Sequence, residues 1–183
     1  MSLSESYKNT PKTRQAIEDV VEHLKKTPDG QALLLTHLVN GGVDVAEEGL
    51  KQNHIPYGKF IGKSKDLTEE MRQQDVRDFN NRKKRVMIIS PAGNEGLSLN
   101  DTTFEAVLDP HFNPEKMNQM EARGIRSGGL AHRPKKDRNV NVNRYIATMP
   151  KIMGVIPSPT PTPDEFIYEI AQNKDKNNQM FFK

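Results

Sequence analysis

Ala32-Leu33-Leu34-Leu35-Thr36-His37 is an unbroken apolar run that ends on two polar residues, with Gly41-Gly42 just beyond. A run without polar alternation belongs in a strand covered on both faces, the condition of a parallel sheet wrapped by helices. The segments around it repeat the unit. A helical stretch reaches Gln52, Tyr57 to Ile61 reads as a strand, and Thr68 to Asn80 reads as a polar helix with Met71, Val76 and Phe79 turned inward. Val86 to Ile89 and Phe104 to Leu108 are further strands. This alternation predicts an α/β fold whose parallel sheet is flanked by helices on both faces.

Upstream, Thr10-Pro11 sets an N-cap before a proline at the first helical position, and Ile17, Val20, Val21 and Leu24 follow at helix spacing until Pro28-Asp29-Gly30. Met1-Ser2-Leu3 reads as an appendage to a core that starts later. Downstream, Asn113-Pro114 starts a helix that Gly128-Gly129 stops, and Val140 to Ala147 alternates as an outer strand. Pro150, Pro157, Pro159, Pro161 and Pro163 predict an extended strap. Thr162-Pro163-Asp164-Glu165 then forms a capping box for a last helix that docks through Phe166, Ile167 and Ile170. The expected plan is an N-terminal helix packed on the domain (1–29), a sheet domain (30–149), and a strap with a terminal helix (150–183).

A chain of 183 residues holds one domain of ordinary size, so two complete catalytic domains are excluded. A net charge of +3 permits a nucleic-acid partner without arguing for one. The absence of cysteine excludes a disulfide framework and a thiolate metal site, and no apolar segment is long enough for a membrane span or a signal peptide. A soluble, intracellular protein is the expectation, with no membrane partner. His23, His37, His54, His111 and His132 show no metal-ligand spacing, so no resident metal is expected.

Gly58-Lys59-Phe60-Ile61-Gly62-Lys63-Ser64 falls one residue short of the Walker A spacing, and Phe60 and Ile61 fill what should be an open phosphate loop. A strand end with a basic turn is the expected reading; the alternative is an enzyme that binds nucleotide through this loop directly. The segment from Arg123 to Arg138 is rich in Arg and Lys, which suits either a nucleic-acid patch or a solvated loop.

The segment with most chemistry is Asn113-Pro114-Glu115-Lys116-Met117-Asn118-Gln119-Met120-Glu121-Ala122-Arg123-Gly124-Ile125-Arg126. On a helix Gln119, Arg123 and Arg126 stand at i, i+4 and i+7 and share a face. An amide and two guanidinium groups on one face suit a polyanion, although the spacing alone favours a solvated surface.

Gln119-x-x-Ala122-Arg123-x-x-Arg126 resembles motif VI of superfamily 2 helicases, and Phe112-Asn113-Pro114 resembles the Trp-Asn-Pro lead-in of Swi/Snf-like translocases. Ile89-Ser90-Pro91-Ala92-Gly93-Asn94-Glu95-Gly96-Leu97-Ser98-Leu99 is similar to motif V, Gly62 to Asn80 with Arg72 to the Gly…Arg…Phe-Asn segment, and Leu33 to Val39 sits where motif IV belongs. Asp109-Pro110-His111-Phe112-Asn113 and Asp164 through Lys174 are similar to segments of poxvirus-type nucleoside triphosphatases. Ala122 departs from the usual motif VI glycine, and Asn94-Glu95 from the small residues of motif V.

The resemblance implies a RecA-like C-terminal helicase domain that meets ATP and Mg2+ held mainly by a separate N-terminal RecA-like domain. By position, Arg126 would be the arginine finger and Arg123 its companion. Gln119, Gly96 and Glu95 would lie at the nucleotide, and Thr36, His37, Ser90 and Asn94 along DNA or RNA. Alone, such a chain would be inactive for lack of Walker A and B motifs. The alternative of another class is a non-catalytic nucleic-acid or protein binding module with the same fold.

Overall fold

In a computed structural model, which describes residues 2–62, 67–90, 97–111, 113–124, 129–149 and 160–181, the opening apolar run becomes β1 (Gln31–Leu35), buried at every position. It lies between β3 (Val86–Ile89) and β4 (Thr102–Val107), which are also wholly buried. Strand β2 (Tyr57–Phe60) and β5 (Asn141–Arg144) form the two edges, giving the order β2-β3-β1-β4-β5 with every pairing parallel. Parallel pairing brings all five carboxyl ends to one edge of the sheet, the place where open α/β sheets bind ligands.

Two apolar layers follow. Helices α1 (Leu3–Lys8), α2 (Pro11–Lys26) and α3 (Asp44–Gln52) set Tyr7, Ile17, Val20, Leu24, Ala46 and Leu50 against Leu34, Ile88 and Phe104. Helix α4 (Glu69–Asn80) covers the opposite face, with Phe79 and Val76 against Leu33, Met87 and Ile89. After β4 comes α5 (Pro114–Gly124), on which α6 (Pro163–Phe181) packs. Thr162 and Glu165 form the expected capping box, at 2.7 and 3.1 Å. Among the described residues no helix is long and apolar enough to cross a membrane.

Several expectations are corrected. The core begins earlier than expected: the Ser2 hydroxyl accepts from Glu5 N–H, the Glu5 carboxylate accepts from Ser2 N–H at 2.8 Å, and the capped α1 buries Tyr7 in the core. Because α1 precedes it, the Thr10 hydroxyl donates back to the Ser6 carbonyl and leaves α2 without a side-chain cap. Met71 is half exposed, since it stands about 140° around the helix from Val76 and misses the buried stripe. Phe166 is exposed as well, and α6 docks instead through Ala171 and the half-buried Ile167 and Ile170.

Gly58 lies inside β2, as the strand-end reading expects. A Cβ there would come within 2.9 Å of the Asp75 Cβ and 3.1 Å of the Met87 Sδ, so the missing side chain lets α4 approach the strand. Lys63 and Ser64, and residues 150–159 of the expected strap, lie outside the described residues.

At the amino edge of the sheet Asp101 takes a left-handed backbone (φ 59) just before β4. Its carboxylate meets Arg82 at 2.6 Å, Arg133 at 2.9 Å and His132 at 2.7 Å. Arg133 also reaches Asp29 at 3.0 Å, while Arg138 donates to the carbonyls of Arg133 and Ala131. These arginines of the basic segment are spent on fastening a loop.

Candidate nucleotide and nucleic-acid edge

The chain turns away from the sheet at Thr36-His37 after β1, Ile61-Gly62 after β2, Ser90 after β3 and Asp109 after β4. Asp109 is the hub of this edge. Its carboxylate accepts from the Thr36 hydroxyl, from His37 N–H at 3.3 Å and from the Lys12 ammonium at 3.2 Å. Lys12 also meets Asp164 at 2.6 Å, and Asp164 accepts from Ala147 N–H at 2.9 Å. One lysine at the start of α2 thus ties the end of β4 to the start of α6.

The turn after β1 is held just as closely. A Cβ on Gly42 would stand 2.6 Å from the Thr36 Oγ1, so only glycine lets the Val39–Val43 turn fold back on Thr36. The His37 and His111 rings lie 4.6 Å apart, centroid to centroid. Gly62 N–H donates to the Ser90 hydroxyl at 3.2 Å, joining the turns after β2 and β3, and Arg72 donates to the Ile61 carbonyl at 3.0 Å.

The Asn113 side chain caps α5 by accepting from Glu115 N–H at 2.9 Å, as its sequence predicts. Gln119 is exposed on this helix and Arg123 follows one turn later. Glu121 turns the other way. Its carboxylate takes a two-pronged contact from Arg144 at the end of β5, 2.7 Å from Nε and 2.6 Å from Nη2. Hydrogen bonding to Glu121 outweighs partial burial and raises the guanidinium's already high pKa.

Beneath α5, Glu105 of β4 is fully buried and neither carboxylate oxygen has a hydrogen-bond partner. Burial, followed by the charge of Glu121, pushes its carboxyl up to about 8, so it is mainly protonated at neutral pH.

The fold therefore brings Thr36, His37 and Ser90 together at one edge. Thr36 and Ser90 are fully buried, and both hydroxyls are engaged within the chain, so either would have to release a partner before reaching an external phosphate. Asn94, Glu95, Gly96 and Arg126 lie outside the described residues. Sequence reasoning missed Lys12, Glu105, Glu121 and Arg144 as parts of this edge. Asp109 had a signal, since Asp109-Pro110 follows directly on an apolar strand; Lys12 had none, standing far from both of its carboxylates along the chain.

A five-stranded parallel sheet with helices on both faces and its polar turns gathered at the carboxyl edge defines the chain as a RecA-like α/β domain. Its likeness to solved structures agrees: the C-terminal part of the Fun30 ATPase domain matches with a TM-score of 0.59 at 21% identity, over 86% of this chain and 44% of that one. The Hef helicase domain of Pyrococcus furiosus matches with a TM-score of 0.59 at 18% identity, over 88% and 28%. The family profile described as "Helicase conserved C-terminal domain" matches residues 15–128, and the chain belongs to that family.

Among curated relatives, a "Putative ATP-dependent RNA helicase" of Acanthamoeba polyphaga mimivirus is 27% identical over 92% of this chain. "Nucleoside triphosphatase I" of Choristoneura biennis entomopoxvirus is 30% identical over 64%, and "DNA repair protein RAD5B" of Arabidopsis thaliana is 24% identical over 80%. The chain spans 37%, 19% and 11% of those relatives' lengths.

Proposed function

We propose that this chain is the C-terminal motor domain of an ATP-dependent helicase or translocase, completing an ATP site built mainly by an N-terminal RecA-like domain and gripping DNA or RNA. The observation that carries the reading is the reach of the helicase C-terminal family match. It runs from α2 through the arginine segment, and α5 starts at the carboxyl edge of the sheet. Arg126 acts as the arginine finger, Arg123 as its companion, and Gln119, Gly96 and Glu95 lie at the nucleotide. Thr36, His37, Ser90 and Asn94 form the nucleic-acid side, where backbone contacts grip a strand without reading its sequence.

The exposed amide of Gln119 fits a nucleotide arriving from outside the domain. Bound ATP supplies the phosphoanhydride bond whose hydrolysis drives the motor. A guanidinium on the γ-phosphate neutralises charge that develops only in the transition state, so it accelerates turnover more than it tightens binding. Among the described residues no three His, Asp or Glu side chains are grouped to hold a metal, and the reading assigns Mg2+ to the N-terminal domain.

The test pairs the chain with that N-terminal domain and follows nucleic-acid-stimulated ATP hydrolysis. Arg126→Ala is expected to lower kcat on the order of a thousandfold while nucleic-acid binding persists. An Arg126→Ala protein that hydrolyses ATP at the unaltered rate overturns the finger assignment.

A further inference from the structure

We propose that Glu105, Glu121 and Arg144 form a positioning clasp for the arginine helix, one that holds while Glu105 keeps its proton and loosens when the proton leaves. Its bearing on catalysis rests on the function proposed above; its existence does not.

The clasp is built on geometry. Glu121 lies two residues before Arg123 on α5, and Arg144 grips it with both prongs from the edge strand β5. Helix α5 and strand β5 are thereby joined over β4, where Arg144 pairs in register with Val107, and Glu105, one pleat back on the same face, pairs with Leu33 of β1 and Val142 of β5. A wholly buried carboxyl with no partner for either oxygen serves no bond in this structure, and an apolar side chain would fill its place at lower cost.

Among the described residues the charges around it are few. Strand β1 presents Leu33 and Leu35 and β5 presents Val142, all apolar. Among the described residues, the charge that α5 brings to bear is Glu121, which Arg144 answers, with Tyr168 of α6 close enough to act on Arg144. With Glu105 neutral, one carboxylate meets one guanidinium and the site balances. With Glu105 ionised, a second carboxylate charge bears on Glu121, and Arg144, 44% exposed and already held by Glu121 through both prongs, has no second fork to offer it. Relief comes from water entering or from α5 lifting off β4, and either displaces the helix that carries Arg123. The burial that raises Glu105's carboxyl to about 8 sets this exchange just above neutral pH.

Amide hydrogen exchange on the full chain tests the clasp without any ATPase assay. After correction for base-catalysed chemical exchange, α5 amides are expected to lose at least tenfold in protection between pH 7 and pH 9, and Glu105→Gln to abolish that loss. Arg144→Lys, which keeps the charge but not the fork, should expose α5 already at pH 7. Equal α5 protection at pH 7 and pH 9 overturns the proposal, as does a Glu105→Gln protein that follows the wild-type curve. Carboxyl carbon NMR supplies a second check: a Glu105 midpoint at the ordinary carboxylate value is equally fatal.

In the assembled motor, kcat should fall at alkaline pH with little change in the KM for ATP, and Glu105→Gln should remove that fall. If Arg126→Ala proves harmless while α5 exchange behaves as described, the catalytic reading fails and the clasp stands. If Arg126→Ala is inactive but α5 protection ignores Glu105, the reverse holds.

Discussion

The two ends of β4 carry an aspartate each, and the two are wired for different work. Asp101 at the amino end is met by Arg82 and Arg133, with the His132 ring beside them, so its charge is answered by two guanidinium groups. Asp109 at the carboxyl end is met by a hydroxyl, a backbone N–H and one lysine. The first arrangement fastens a loop to the base of the sheet. The second shapes the turn after β1 and leaves polar groups at the edge where the family's chemistry is proposed. On one strand, then, the amino end is fastened by guanidinium groups and the carboxyl end by a hydroxyl, a backbone N–H and an ammonium.

Asp101→Asn should break the stable end most severely. Asparagine tolerates the left-handed backbone, so the change isolates the charge. Arg133, with a side chain 6% exposed, would keep Asp29 but lose its buried partner. Breaking a buried pair typically costs about 3–5 kcal/mol, and we expect the lower end, roughly 6–12 °C in Tm for a domain of this size. Calorimetry reads it directly. The pH dependence has a definite sign. Burial opposes ionisation of Asp101, but hydrogen bonds from Arg82 and Arg133 outweigh it and hold the carboxyl below its ordinary value. The stability it contributes is therefore present above about pH 4 and lost as pH falls through the depressed value, and Asp101→Asn should flatten that acid limb.

Asp109→Asn should separate function from folding. Asparagine can still accept from Thr36 and His37, so the loss is confined to the charge-assisted contact with Lys12 and should be about 1–2 kcal/mol. In the assembled motor, however, the Lys12 tether between the end of β4 and the start of α6 would lose one anchor, and nucleic-acid-stimulated ATPase should fall about tenfold, a shift of roughly 1.4 kcal/mol in the barrier. If Asp109→Asn proves as destabilising as Asp101→Asn yet catalytically silent, the contrast between the two ends collapses.

The sequence made the centre of the sheet easy to read because β1 and β3 are buried on both faces and are written largely as aliphatic runs, whereas the equally buried β4 carries Thr102, Thr103 and Glu105. The start of α5 was legible for a similar reason, since Asn113-Pro114 is a local cap that needs no distant partner. The clasp was not. Glu105 looks like any polar residue in a strand, and only packing shows that Glu121 meets Arg144 over the same strand. Helix α1 is a different failure: Ser2 and Glu5 spell a capping box in plain sequence, but so short a helix is stable only because Tyr7 docks on Gly49, a contact no local pattern announces.

The smallest effect should come from His132→Gln, which trims the amino-edge cluster at its solvent rim. The imidazole stands 2.7 Å from Asp101 but is 52% exposed, whereas Arg133 on the same oxygen is nearly inaccessible. Water screens the outer contact and competes for it, so its removal should change stability by no more than about 0.5 kcal/mol, a Tm shift of roughly 2 °C or less. The Asp101 carboxylate keeps both arginines and the loop stays fastened. A loss comparable to that of Asp101→Asn would mean that the cluster depends on its exposed rim and not on the buried Arg133.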